Sequence, residues 1–233
     1  MDELMQAALQ SDKPVRVAPT PEAFVAGAVG RLGEALLTAL LAGGGYARVH
    51  VLTSAPLGSS ERRLHGVRGG GLDDPALKLP AVETAWLIYE QDRLANGRDV
   101  AFAKLAPAHI EEDAARLAAA GVRHLVLVLP LSLVEQLSNS LLAGSALRLA
   151  LARLPFERVE LLHPATDAGP APASLIDRLR RFYFSQLRFM LPDSLHPLTS
   201  EQIARAAVRI AGEPAAGVQV FGAAELHAAL ARK

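Results

Sequence analysis

The stretch Gly27-Ala28-Val29-Gly30-Arg31-Leu32-Gly33 decides the fold of this 233-residue chain. It follows a short apolar run over 23–26 and precedes apolar residues at helical spacing over 31–42, which predicts a strand, a glycine turn and a helix. Glycines at 43–45 end that helix, and an apolar run over 48–53 predicts the next strand. A strand, a helix and a strand so close together are typical of a parallel pair with a right-handed crossover.

The same alternation continues toward the C-terminus. The glycine-rich segment 66–74 is predicted to be a loop, and Thr199 with Gln202 forms a capping pattern at the start of a late helix. The alternation predicts a single α/β domain over 21–233, a doubly wound parallel sheet with a small C-terminal substrate-side segment, after an N-terminal arm over 1–20. Further strands are predicted over 84–89, 124–129 and 158–162, and further helices over 111–120, 134–154, 174–189, 199–210 and 223–231.

Composition excludes several classes of function. Lys+Arg and Asp+Glu number 24 each, so the chain lacks the broad positive field of a nucleic-acid-binding protein. The absence of cysteine excludes disulfides, thiolate metal sites and a thiol nucleophile, and the seven histidines show no metal-ligand spacing. The longest apolar run, over 125–131 with Ser132, Leu133 and Val134 beyond it, is about half the length of a membrane span. The acidic start of the chain is unlike a secretory signal, so we expect a cytoplasmic protein without metal, nucleic acid or membrane.

Each glycine of the turn has a physical role in nucleotide binding. Gly27 allows the sharp turn after the strand, Gly30 allows a pyrophosphate to approach the main chain, and Gly33 allows the helix to pack closely on the sheet. The N–H groups at the start of the helix attract phosphate, and Arg31 adds a cation; a turn that serves packing alone is the alternative. The residues predicted to bind a cofactor are Gly27, Val29, Gly30, Arg31, Leu32, Gly33, Thr53 and Ser54.

The spacing Gly-x-x-Gly-x-x-Gly resembles that of the atypical and extended short-chain dehydrogenase/reductases, and the chain is most similar to their small NAD(P)-binding branch. Segments 118–124, 156–164 and 201–206 follow in the order of that branch, so the resemblance extends over residues 22–231. It implies a Rossmann-like fold and NAD or NADP as the cofactor. By analogy it also implies a homodimer formed through the helices predicted over 134–154 and 174–189, or a protein partner.

The resemblance does not extend to the family's catalytic serine, tyrosine and lysine. Ser140 and Gly144 stand where the tyrosine and lysine would be, and Ser132 is a poor substitute for the serine. No Tyr or Lys occurs between Lys104 and Tyr183, so no shift of register restores the pair. We therefore expect no catalytic residues of the family's kind, and a degenerate protein that acts as a sensor, scaffold or partner-binding module, with dinucleotide binding either kept or lost.

A working enzyme is the alternative function. An NAD(P)H-dependent oxidoreductase or isomerase with a non-standard site would use Ser138, Ser140 or Tyr183 to position its substrate. This hypothesis predicts turnover of the cofactor with a carbonyl compound, whereas the sensor or scaffold hypothesis predicts none.

Overall fold

The computed structural model describes residues 21–58, 61–90, 101–132, 143–166 and 197–232. These residues form nine strands and five α-helices, with a short 3-10 turn at Pro107–His109. The strands are β1 (Glu22–Ala26), β2 (Arg48–Thr53), β3 (Leu64–Arg68), β4 (Thr84–Ile88), β5 (His124–Val128), β6 (Leu131–Ser132), β7 (Arg158–Leu162), β8 (Ala165–Thr166) and β9 (Gly217–Phe221). The helices are α1 (Gly30–Ala42), α2 (Ile110–Ala119), α3 (Ala143–Ala152), α4 (Ser200–Gly212) and α5 (Ala223–Ala231).

Seven of the strands form one parallel sheet in the order β3-β2-β1-β4-β5-β7-β9. This order confirms the predicted doubly wound fold. The direction in which the strands are added reverses between the neighbours β1 and β4. Ligands of such sheets bind in a crevice at the carboxyl ends of the strands beside this reversal. The short strands β6 and β8 pair in parallel as a separate two-stranded sheet, a few residues beyond β5 and β7.

A hydrophobic core lies on each face of the sheet, which explains why the central strands are apolar throughout. Helices α1, α4 and α5 cover one face, and α1 and α4 pack against each other. Helices α2 and α3 cover the other face. Trp86 on β4 belongs to the first core and Phe24 on β1 to the second, and both are fully buried.

Most predicted elements are confirmed within the described residues. The capping pattern is present, since the Gln202 N–H donates to the Thr199 hydroxyl and the Thr199 N–H donates to the Gln202 side chain. The loop predicted over 66–74 is wrong at its start, because residues 66–68 belong to β3, and β9 was not predicted. The helix predicted over 134–154 is described only as α3. The arm over 1–20 and the helix predicted over 174–189 lie outside the described residues.

Candidate functional site

The glycine turn joins β1 to α1 at the reversal of strand order. Gly27 and Gly30 both have a positive φ, +76° and +69°, which side-chain-bearing residues rarely adopt. A Cβ on Gly27 would lie 2.0 Å from the carbonyl oxygen of Ile88 on β4, and a Cβ on Gly33 would lie 2.4 Å from the carbonyl carbon of Ala28. Gly27 therefore makes the sharp turn, as its place in the spacing predicts. Gly33 lets the helix pack closely, but against Ala28 of the turn rather than against the sheet.

The apolar residues of the turn are buried, and backbone hydrogen bonds hold the turn together. Val29 is the N-cap residue of α1, its N–H donates to the Gly27 carbonyl at 2.8 Å, and its carbonyl accepts from the Gly33 N–H at 3.2 Å. The side chains of Val29 and Leu32 belong to the buried residues, with 1% of each exposed. These fractions refer to the whole residues, so the backbone groups of Val29 and Leu32 are covered as well.

One of these backbone groups already holds an anion, the carboxylate of Glu90. Glu90 follows β4 by two residues, and its Oε2 accepts a hydrogen bond from the Leu32 N–H at 3.1 Å. A Cβ on Gly30 would lie 2.5 Å from the same oxygen, so the carboxylate lies where the sequence predicts a phosphate. Negative charge is stabilised at the start of a helix, which explains the contact. Glu90 is not among the residues that the sequence predicts for this site.

A second segment of the chain also reaches the turn. Phe102 pairs antiparallel with Thr53 at the end of β2, so residues 101–103 run along the last residues of that strand. Farther along, the Cδ1 atom of Leu105 would lie 3.2 Å from a Cβ on Gly27. The chain therefore covers the carboxyl ends of β1 and β2 with its own residues.

Thr53 and Ser54, the predicted ribose contacts, are placed differently from each other. Thr53 is 2% exposed, and its hydroxyl lies 3.5 Å from the Val67 carbonyl on β3. Ser54 is exposed, and its N–H donates to the Ala101 carbonyl at 2.8 Å. A ribose contact from Thr53 would require its hydroxyl to turn away from β3, whereas the Ser54 side chain is open to solvent.

Arg31, the predicted cation of the turn, is exposed on the first turn of α1. Hydrogen bonds from the backbone N–H of Glu201 and from the Thr199 side chain lower the pKa of the Glu201 carboxyl at the start of α4, and the positive charge of Arg31 adds to this effect. Arg31 therefore lies on the first turn of α1, near enough to the start of α4 for its charge to act on Glu201.

The structure describes few of the positions that correspond to the family's catalytic residues. Ser132 is in β6, and Gly144 is in α3, where glycine supplies no side chain. Ser138, Ser140 and Tyr183, the residues of the alternative enzyme hypothesis, lie outside the described residues.

A phenol does lie beside the crevice, but its partner is a carboxyl group rather than an ammonium. The Tyr89 hydroxyl donates to Asp113 Oδ2 at 2.8 Å, and both side chains are buried. Burial raises the pKa of Tyr89, with Asp113 adding to the effect, and burial also raises the pKa of Asp113. A general acid needs a phenol whose pKa is lowered toward neutrality, so Tyr89 does not replace the missing tyrosine.

His163 follows β7 at the same edge of the sheet. Its Nδ1 lies 3.4 Å from the Leu129 carbonyl, and burial lowers the pKa of its imidazole, so the ring is neutral at neutral pH. Elsewhere, an open groove of about 850 Å³ lies at the far end of α1, between Gly43 and Arg209 of α4. Within the described ranges no three side chains are grouped as a metal site, and no helix is long and apolar enough to cross a bilayer.

Comparisons with known proteins give matches among solved structures alone. No family model matches the chain, and no curated protein matches it. One similar structure is an oxidoreductase of the short-chain dehydrogenase/reductase family from Burkholderia thailandensis, 18% identical with a TM-score of 0.50, covering 90% of this chain and 93% of that chain. Another is the 3-hydroxyacyl-CoA dehydrogenase type-2 from Mycobacterium avium, 17% identical with a TM-score of 0.51, covering 89% of this chain and 96% of that chain.

A third similar structure is the PhqB reductase domain from Penicillium fellutanum. It is 15% identical with a TM-score of 0.50, and the match covers 95% of this chain and 72% of that chain. At these sequence identities the comparisons show a similarity of fold alone. They confirm the predicted likeness to short-chain dehydrogenases at that level.

Proposed function

We propose that this chain is a dinucleotide-responsive protein with the fold of short-chain dehydrogenases, and that it performs no hydride transfer by the tyrosine–lysine mechanism. One observation supports binding above the others: the Leu32 N–H at the start of α1 holds a carboxylate beside Gly30. The same backbone geometry at the reversal of strand order suits a phosphate of NAD or NADP. The bound nucleotide would change the state of the protein rather than serve as a reagent.

The non-catalytic half of the proposal rests on the chain's own residues. A phenol needs a nearby cation to act as an acid at neutral pH, and Gly144 supplies none at the lysine position. Tyr89, at the edge of the sheet, is held by Asp113 instead. A sensor or a partner-binding module fits a nucleotide turn that is not accompanied by the tyrosine–lysine pair.

The test is a titration of the purified chain with NAD⁺, NADH, NADP⁺ and NADPH, followed by nucleotide fluorescence and by the thermal midpoint. We expect saturable binding of at least one of them, because a ligand that binds only the folded state raises stability by mass action. Adenosine, which lacks the pyrophosphate, is the control ligand and is expected to bind far more weakly. A second assay follows oxidation of NADH and NADPH with a panel of carbonyl compounds, where we expect no turnover.

Two results would contradict the proposal. If none of the four dinucleotides binds, the turn serves packing alone and the scaffold version remains. If the panel reveals turnover, the alternative enzyme hypothesis gains, and variants of Ser140 and Tyr183 would then test the residues predicted for it.

A further inference from the structure

Glu90 makes the start of α1 a site that is already in use. Its Oε2 atom accepts from the Leu32 N–H at 3.1 Å and lies 2.5 Å from the position that a Cβ on Gly30 would take. Glu90 reaches this place because β4 lies beside β1 in the sheet, so the residues that follow β4 emerge next to the turn that follows β1. The contact joins residues 58 apart in the sequence and is set by the fold.

A phosphate and this carboxylate compete for the same donor. One N–H group makes one good hydrogen bond, and two anions in a partly buried crevice repel each other. The positive end of the α1 dipole favours negative charge, and Glu90 already provides it. The free energy that a nucleotide gains by binding at this turn is therefore only the difference between the energy of its own contacts and that of the contacts of Glu90.

We infer that Glu90 is an internal competitor of the nucleotide phosphate, and that binding at the turn is an exchange in which the carboxylate leaves the Leu32 N–H. The inference rests on the proposed function. It adds Glu90 as the residue that sets the affinity of the turn for a nucleotide and the selectivity of the turn against anionic ligands. Ligands without a phosphate at the turn do not meet this competition.

The test compares the dissociation constants of NADH for the wild-type chain and for Glu90→Gln. The amide keeps the size of the side chain but removes its charge, and a charged acceptor forms a stronger hydrogen bond than a neutral one. We expect NADH to bind Glu90→Gln about tenfold more tightly than the wild type, a change that corresponds to the difference between such bonds. The affinity for adenosine is expected to stay the same.

Glu83→Gln is the matched control, because Glu83 is exposed just before β4, at the opposite end of the strand from the turn. It removes the same charge from the chain and is expected to leave NADH affinity unchanged. Glu90→Ala provides a second way to remove the carboxylate, and it replaces Glu90→Gln if that variant does not fold.

The outcomes separate this inference from the proposed function. Equal NADH affinity in the wild type and the Glu90 variants overturns the inference and leaves the proposed function standing, as does an equal gain in Glu83→Gln. Binding by the Glu90 variants alone supports the inference and shows that the wild type no longer responds to the nucleotide. If neither the wild type nor the Glu90 variants bind NADH, both the inference and the proposed function fail.

Discussion

Tyr89 and Asp113 connect the end of β4 to the first turn of α2 through a buried hydrogen bond of 2.8 Å. Tyr89→Phe would leave the buried Asp113 carboxyl without this donor, and a buried polar group that loses its partner costs about 1–3 kcal/mol. We expect the free energy of unfolding to fall by that amount in denaturant titrations. A fall below about 0.5 kcal/mol would mean that water replaces the phenol.

Asp113→Asn is the control for this pair, and it tests the raised pKa of the carboxyl as well. The amide oxygen still accepts from Tyr89, but it has no charge to desolvate. Because burial raises the Asp113 pKa, folding stability falls as pH rises from the ordinary value of 3.8 to the raised value. We expect the amide variant to lack this fall and to equal or exceed the wild type in stability at pH 7.

His163 gives the opposite dependence on pH. Burial lowers its pKa, so as the pH falls below the ordinary value of 6.5 the unfolded chain takes up a proton that the folded chain does not. Stability is therefore lost with decreasing pH from about 6.5 down to the lowered pKa of the folded state. We expect the difference in thermal midpoint between the wild type and His163→Gln to change as the pH falls below about 6.5, because only the wild type carries the buried imidazole.

At the scale of elements, the packing of α1 on the glycine turn depends on Gly33. A Cβ there would lie 2.4 Å from the Ala28 carbonyl carbon, so Gly33→Ala must push the helix away from the turn. Overpacking of this kind costs about 1–3 kcal/mol, and we expect that loss in the free energy of unfolding. Gly45→Ala is the matched control, since nothing lies within 4 Å of its Cβ position, and its effect should be less than about 0.5 kcal/mol.

The elements that could be predicted from the sequence are those that the fold buries. β4 and β5 read as unbroken apolar runs because helices cover both of their faces. The edge strand β3 is half exposed and contains His65 and Gly66, and β9 at the other edge is half exposed too, so neither shows an apolar run. Strands at the edge of a sheet that are partly exposed lack the pattern of apolar residues from which strands are predicted.

At the scale of the molecule, one buried ionic cluster joins two strands and a helix. Glu160 on β7 is fully buried and accepts from His124 on β5 at 2.5 Å and from Arg158, which also donates to the Ile210 carbonyl on α4 at 2.7 Å. Glu160→Ala would leave the Arg158 charge without this partner, and breaking a buried pair costs about 3–5 kcal/mol. We expect a loss of that size in denaturant titrations.

Glu157→Ala is the matched control for this prediction. Glu157 pairs with Arg123 at 3.2 Å, and both side chains are exposed to more than half, at 69% and 64%. Exposed ion pairs contribute about 1 kcal/mol or less, so the control should change stability little. Equal losses in the two variants would contradict the view that burial makes the Glu160 cluster costly to break.

The candidate site could be predicted only in part, because some of its residues are neighbours in the sequence and others are far apart in it. The positive φ of Gly27 and the contact of Gly33 with Ala28 are local to one strand–turn–helix unit, so the spacing of these glycines is enough to identify them. Glu90 and Leu105 reach the turn through the order of strands in the sheet, and a single carboxylate or leucine after a strand carries no local signal. Strand order is a property of the whole fold, and it decides which residues meet at the crevice.

Capping of α1 by Glu90 has a consequence for how the protein reports on a ligand. In a site without such a cap, the binding free energy of an arriving phosphate would include the whole stabilisation that an anion gives to the helix start, and the melting temperature would rise accordingly. Here the helix is stabilised before any ligand arrives, so the rise in melting temperature reflects only the net gain of the replacement. The backbone at the turn is thus already in place in the absence of nucleotide, and the change on binding would be the release of the Glu90 carboxylate from the Leu32 N–H.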